Sequence, residues 1–167
     1  MKVMATDTDL AELDAHHRQI RDHLDRLAAL ASRVQTEDLG AEIRAEACAI
    51  EAFFSASMRQ HHRIEEGVVF PALLDSGDTE LVTLVRTLQQ DHGWIEENWI
   101  ELAPQLRAIA EGNHWVEPTE FLHGAEVFLE LCYGHTALEE ALIYPQARAR
   151  QQGASTAPAA QVAGSAR

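Results

Sequence analysis

The chain has 167 residues, enough for one domain that buries a sizeable core without disulfide staples. Thirteen Lys and Arg against 27 Asp and Glu give a formal net charge of -14, which repels nucleic-acid backbones and anionic membrane surfaces. The opening MKVMATDTDL lacks an apolar run of signal-peptide length and no stretch approaches a membrane span, so a cytoplasmic protein is expected, with neither nucleic acid nor membrane as partner. Cys48 and Cys132 form no CxxC pair and read as small buried hydrophobes.

Apolar residues recur at steps of three and four through Leu10, Leu13, His17, Ile20, Leu24, Leu27, Ala31 and Val34, which predicts a helix over about 8–34. With Thr36 as its N-cap, a second helix is predicted over about 37–73, its inner stripe running through Ile43, Ile50, Phe54, His61, Glu65 and Val68 and fading at Pro71. The turn at 75–78 precedes a third stripe through Leu81, Val85, Leu88, His92, Glu96, Trp99 and Leu106, with a kink expected at Pro104. Pro118 suits a first helical position and opens a fourth stripe through Phe121, Ala125, Phe128, Cys132, His135, Glu139 and Leu142. The last residues are Ala, Gln, Ser and Gly with one Pro, too poor in apolar area to order themselves. The predicted organisation is a flexible N-terminus at 1–7, a helical domain at 8–148 and a disordered tail at 149–167.

Four long helices with short connections predict an all-α fold, an antiparallel up-down-up-down four-helix bundle. Its halves match. HHRIEEGVVFPAL at 61–73 and HTALEEALIYPQA at 135–147 both read His, three residues, Glu-Glu, three residues, an aromatic, then Pro. Setting His17 over His92 also pairs Leu27 with Leu102, so the bundle reads as two related helical hairpins.

Each stripe carries polar residues where the core should be: His17; His61 and Glu65; His92 and Glu96; His135 and Glu139. Burying an unpaired carboxylate costs several kcal/mol, and the stripes contain no Lys or Arg to compensate. A His and a Glu four residues apart lie about 40° apart on a helix, one turn along, so both can address one point beside the axis. Four imidazoles and three carboxylates exceed the needs of one ion and suit two divalent ions with an open position, iron or manganese in preference to zinc. His16, His23, His62, His114 and His123 fall off the stripes or into a loop and read as solvated. A ferritin-like set fails on placement, because Glu111 and His114 lie at a helix end and Glu120 and His123 lie off the seam. Tyr133 and Tyr144 flank the fourth-helix ligands and could hydrogen-bond there, but they, like Trp94 and Trp99, read chiefly as aromatic packing.

HRQI, HHRIEEGVVFPAL, DHGWIEE and HTALEEALIYP together resemble the hemerythrin family, in its branch of HHE cation-binding domains, over about residues 8–148. The resemblance implies a non-haem di-iron centre with an oxo or hydroxo bridge, manganese being the alternative metal. His17, His61, His92 and His135 would be nitrogen ligands, Glu65 and Glu139 bridges, and Glu96 a terminal oxygen ligand. Oxygen-carrying members have HxxxH in the third helix, where this chain has His92 and Glu96, and HxxxxD in the fourth, where it has His135 and Glu139. A carboxylate in place of imidazole favours the ferric state, so the resemblance points away from reversible oxygen carriage. It points toward a protein that binds or senses a small oxidant, dioxygen, nitric oxide or peroxide, and signals through a separate protein partner. The alternative is a di-iron catalase or peroxidase that detoxifies hydrogen peroxide.

Overall fold

The computed structural model describes residues 5–155, and among them every regular element is helical. Residues 1–4 and 156–167, which take up most of the expected flexible terminus and disordered tail, lie outside the described residues. The elements are α1 (Asp7–Val34), α2 (Ala41–Ile64), a π-helical turn (Glu65–Val69), α3 (Phe70–Leu74), α4 (Thr79–Glu111), α5 (Pro118–Leu138), a second π-helical turn (Glu139–Ile143) and α6 (Tyr144–Ser155). The two π turns join α2 to α3 and α5 to α6, so the chain forms four helical rods. Rod one packs on α2 and α5, and α4 packs on the same two, closing a ring around a shared interior. No helix among the described residues is long and apolar enough to cross a membrane.

Local chemistry sets the helix ends. Thr6 and Asp9 form a capping box at the start of α1, each side chain accepting the other's backbone N–H, at 3.1 and 2.7 Å. Ala5, just ahead of the cap, is buried. Thr36 is not the cap of the second helix. Its N–H and that of Glu37 return to the carbonyl of Arg33, and the Arg33 guanidinium pairs with Glu37 and Glu42, so these residues finish α1. The helix opens behind Gly40 instead. Asp78 caps α4 by accepting the N–H groups of Glu80 and Leu81. That helix runs unbroken through Pro104 and closes at Gly112, whose φ of 76° is the left-handed conformation that favours glycine. At the other end of the chain, α6 carries the helix on to Ser155, past the predicted boundary at 148.

Both π turns begin at a glutamate of the repeated motif, Glu65 and Glu139. The N–H of Phe70 reaches back five residues to the carbonyl of Glu65, and that of Tyr144 does the same to Glu139. The extra residue in each turn rotates the following helix by one position. Val69 and Ile143 therefore point inward, while Val68 is only half-buried and Leu142 lies 47% exposed, against the predicted stripe. Two further expectations fail on burial: Trp94 is 52% exposed and Cys48 is exposed.

The interior falls into two apolar clusters. One contains Leu24, Leu27, Ile50, Phe54, Trp99, Leu106, Phe121 and Phe128. The other contains Leu10, Leu13, Val69, Phe70, Leu73, Val85, Leu88, Ile143 and Tyr144. Every rod crosses from one to the other through the residues singled out above: His17 in α1, His61 and Glu65 at the end of α2, His92 in α4, His135 and Glu139 at the end of α5. A polar layer thus lies between two dry halves of the core.

Candidate metal centre

Six of the seven expected donors meet in that layer, and all six are buried: His17, Glu65 and Glu139 completely, the others to within 4%. They form two overlapping groups of four, His17, His61, Glu65 and Glu139 in one and His92, His135, Glu65 and Glu139 in the other. Both glutamates belong to both groups, and each contributes a different oxygen to each. Oε1 of Glu65 lies 3.3 Å from Nε2 of His61, and its Oε2 lies 3.3 Å from Nε2 of His92. Oε2 of Glu139 lies 3.2 Å from Nε2 of His17, and its Oε1 lies 3.0 Å from Nε2 of His135. The nitrogens of His17 and His61 are themselves 3.0 Å apart.

These spacings do not form a satisfied hydrogen-bond network. Oε2 of Glu65, Nε2 of His92, Nε2 of His135 and both oxygens of Glu139 have no hydrogen-bond partner, although charged or polar atoms stand within 4 Å. The N–H directions of the rings miss the oxygens. Buried polar atoms left in this way are rare and costly. Two cations, each placed within one group of four and sharing the two carboxylates, would satisfy all of them. Without cations, protons carry the balance. Burial should push Glu65 and Glu139 up, yet the surrounding imidazoles hold both below the usual carboxylate range. Burial likewise opposes charge on His92, but Glu139 and Glu65 push it up to about 10, and His17 is raised for the same reason.

The outward nitrogens are also engaged. Nδ1 of His17 lies 3.1 Å from Glu140, which Arg21 holds in turn at 2.5 Å. Nδ1 of His92 lies 2.7 Å from Glu66, and Nδ1 of His61 lies 2.9 Å from Nδ1 of His16. Nδ1 of His135 faces Asp91 at 3.7 Å without a hydrogen bond. Such contacts to the far ring nitrogen fix the tautomer and orientation of a metal-ligating histidine. In each repeated Glu-Glu pair the first glutamate points inward and the second reaches across to a histidine of another rod. The doubling of the pair in sequence was the available signal for Glu66 and Glu140.

Glu96, the seventh expected donor, stands apart. Its Oε1 accepts from Nδ1 of His62 at 2.9 Å and its Oε2 pairs with Nε of Arg59 at 3.4 Å, with 29% of the side chain exposed. The inference drawn from Glu96 about the ferric state therefore has no support in its placement. His62, expected in solvent, is instead buried, its ring stacked on His92 at 3.9 Å and 10°, and it groups with His92 and His135. Burial and the neighbouring His92 push it down to about 4. His16 is half-buried against His61, and His23 stacks on Phe53. His114 and His123 are exposed, as expected. Tyr144 packs in the core as expected, and its hydroxyl also donates to Oε1 of Glu65 at 2.5 Å. Tyr133 bonds Asp25 near the surface and does not reach the layer.

A cavity of about 20 Å³ adjoins the layer, walled by His61, His62, His135, Ile20, Phe54 and Ile95. It has room for about one small molecule. Neither the curated proteins nor the solved structures give a match to the chain. The hemerythrin HHE cation-binding domain matches residues 8–147, a span that contains all six converging donors and both π turns. The chain belongs to the hemerythrin family of HHE cation-binding domains.

Proposed function

We propose that this is a hemerythrin-like non-haem di-iron protein that binds or senses a small oxidant, dioxygen, nitric oxide or peroxide, inside the bundle. The observation that carries the reading is the sharing of Glu65 and Glu139 between two groups of donors, one oxygen to each side. The proposed ligands are His17, His61, Glu65, His92, His135 and Glu139. A set of imidazoles and carboxylates without sulfur suits iron, and manganese next. When bound, the metal pair supplies Lewis acidity and one-electron exchange. The antiparallel arrangement of two related hairpins is part of the same proposal, supported by the short connections and by the paired π turns. A cytoplasmic location fits the two unpaired cysteines.

The protein's own residues do the rest. Glu66, Glu140 and His16 hold the rings of His92, His17 and His61 in register. The small cavity, walled by Ile20, Phe54 and Ile95 together with His61, His62 and His135, limits a ligand to a few atoms. One feature favours the alternative, a di-iron catalase or peroxidase: His62 lines the cavity with Nδ1 held by Glu96, which leaves its other ring nitrogen for proton exchange with a bound peroxide.

Iron-loaded protein distinguishes the two. Sustained oxygen evolution from hydrogen peroxide identifies the enzyme, whereas a colour bleached by reductant and restored by air, without turnover, identifies the sensor. A spectrum indifferent to dioxygen, nitric oxide and peroxide would refute both.

A further inference from the structure

The repeated motifs differ at their buried aromatic position. His61, Glu65, Glu66, Phe70 and Pro71 are matched by His135, Glu139, Glu140, Tyr144 and Pro145. Phe70 and Tyr144 follow equivalent π turns and are completely buried. The structure also uses their rings alike. Phe70 stacks on His92 with centroids 5.7 Å apart and planes at 12°, and Tyr144 stacks on His17 at 5.1 Å and 25°. At this position only the hydroxyl distinguishes the two motifs. Its oxygen lies 3.0 Å from Nε2 of His17 and 2.5 Å from Oε1 of Glu65, and both of those atoms face the same group of donors.

Donors about 2.1 Å from one cation and at right angles around it stand about 3 Å apart. The separations His17 to His61, His17 to Glu139 and His61 to Glu65 are 3.0, 3.2 and 3.3 Å. The 3.0 Å from His17 to the hydroxyl of Tyr144 is an edge of the same size. We infer that the Tyr144 oxygen is a fifth protein ligand of the cation held by His17, His61, Glu65 and Glu139. The inference rests on the di-iron reading above. Ligation exchanges the phenol O–H bond, now directed at Glu65, for an oxygen-to-cation bond; the proton leaves to solvent and no electron moves.

Phe70 offers no counterpart to the cation between His92 and His135. The small cavity is lined by one histidine of each group, His61 and His135. The pair would thus be asymmetric, with an anionic oxygen biasing one cation toward the ferric state.

The test uses the full chain loaded with ferric iron, assayed for iron content, visible absorption and resonance Raman scattering. The chain has two tyrosines, which makes assignment direct. The expected result is a broad phenolate-to-ferric band whose Raman ring modes shift in protein made with ring-deuterated tyrosine. The band persists in Tyr133→Phe and is lost in Tyr144→Phe, while iron stays at two per chain. If Tyr144→Phe does not fold, ring modes persisting in Tyr133→Phe still assign the ligand. Two irons per chain without phenolate ring modes in the wild-type protein overturns the inference alone. Failure to hold iron at all overturns the di-iron reading with it.

Discussion

Stripping the cations should destabilise the fold by an amount set by the orphaned donors. Five buried atoms that face the layer, Oε2 of Glu65, Nε2 of His92, Nε2 of His135 and both oxygens of Glu139, lack hydrogen-bond partners. At about 1–3 kcal/mol for each unsatisfied group, their burial costs on the order of 5–15 kcal/mol, comparable with the whole stability of an ordinary domain. Protons on the imidazoles offset part of this cost, so mass action sets the usable figure. Cations at about 1,000 times their dissociation constant contribute about 4 kcal/mol. For a chain of this size each kcal/mol moves the melting temperature by about 2–4 °C, so chelation should lower it by about 8–16 °C. Pairs of melts followed by circular dichroism, loaded, stripped and reloaded, measure this directly. Coincident melts for loaded and stripped protein would show that the polar layer does not depend on cations.

The same experiment has a pH signature. In stripped protein His92 titrates above its unfolded value of 6.5, so its proton stabilises the fold fully below pH 6.5 and that contribution fades as pH rises toward 10. Glu65 and Glu139 titrate below 4.5, so their contribution is present above that pH and lost below it. His16 and His62, pushed down to about 4 with burial as the main cause, refuse protons that the unfolded chain accepts, which costs stability as pH falls from 6.5 to 4. Stripped protein should therefore be most stable near pH 6.5. Cations displace the imidazole protons, so the gap between loaded and stripped melts should widen from pH 6.5 upward.

Four substitutions probe the parts of the site separately. Glu139→Leu removes an oxygen from both donor groups at once and should take iron from two per chain to near zero with the far-ultraviolet dichroism still helical; retention of two irons would exclude Glu139 as a shared ligand. Glu66→Gln and Glu140→Gln each remove an anionic partner from an outward imidazole nitrogen and should weaken iron binding about 10- to 100-fold, read by competition with a chelator. Unaltered affinity in both would mean that the ring orientations are fixed by packing alone. Glu96→Ala should leave two irons per chain, because its carboxylate is spent on His62 and Arg59; loss of one iron would return Glu96 to the ligand set.

Much of this architecture was legible because the stripes are long and their interruptions are charged. Histidine and glutamate in the middle of an apolar seam carry a burial cost that names the site before any coordinates do, and His17, His61, Glu65, His92, His135 and Glu139 converge as that argument requires. Part of what the periodicity missed traces to the π turns. A constant step of 100° per residue cannot anticipate an inserted residue after Glu65 and Glu139, so it placed Val68 and Leu142 inward where Val69 and Ile143 are found. Glu96 lies in α4, which has no π turn; Ile95 and Trp99 take the inward positions there, and the Glu96 side chain turns out to His62 and Arg59. His62 reads as solvated because Ser55, Arg59 and Glu66 share its helix face, yet the end of α2 buries it with His61. A tyrosine beside the fourth-helix ligands can pack or hydrogen-bond, and Tyr144 does both, as its distances to Glu65 and His17 show.

The central claim, two cations sharing Glu65 and Glu139, is tested most directly by elemental analysis combined with X-ray absorption at the iron edge on protein loaded at neutral pH. Two irons per chain, nitrogen and oxygen neighbours without sulfur, and an iron-to-iron shell within about 4 Å are the expected result. One iron per chain, or two with no iron-to-iron shell, would contradict it.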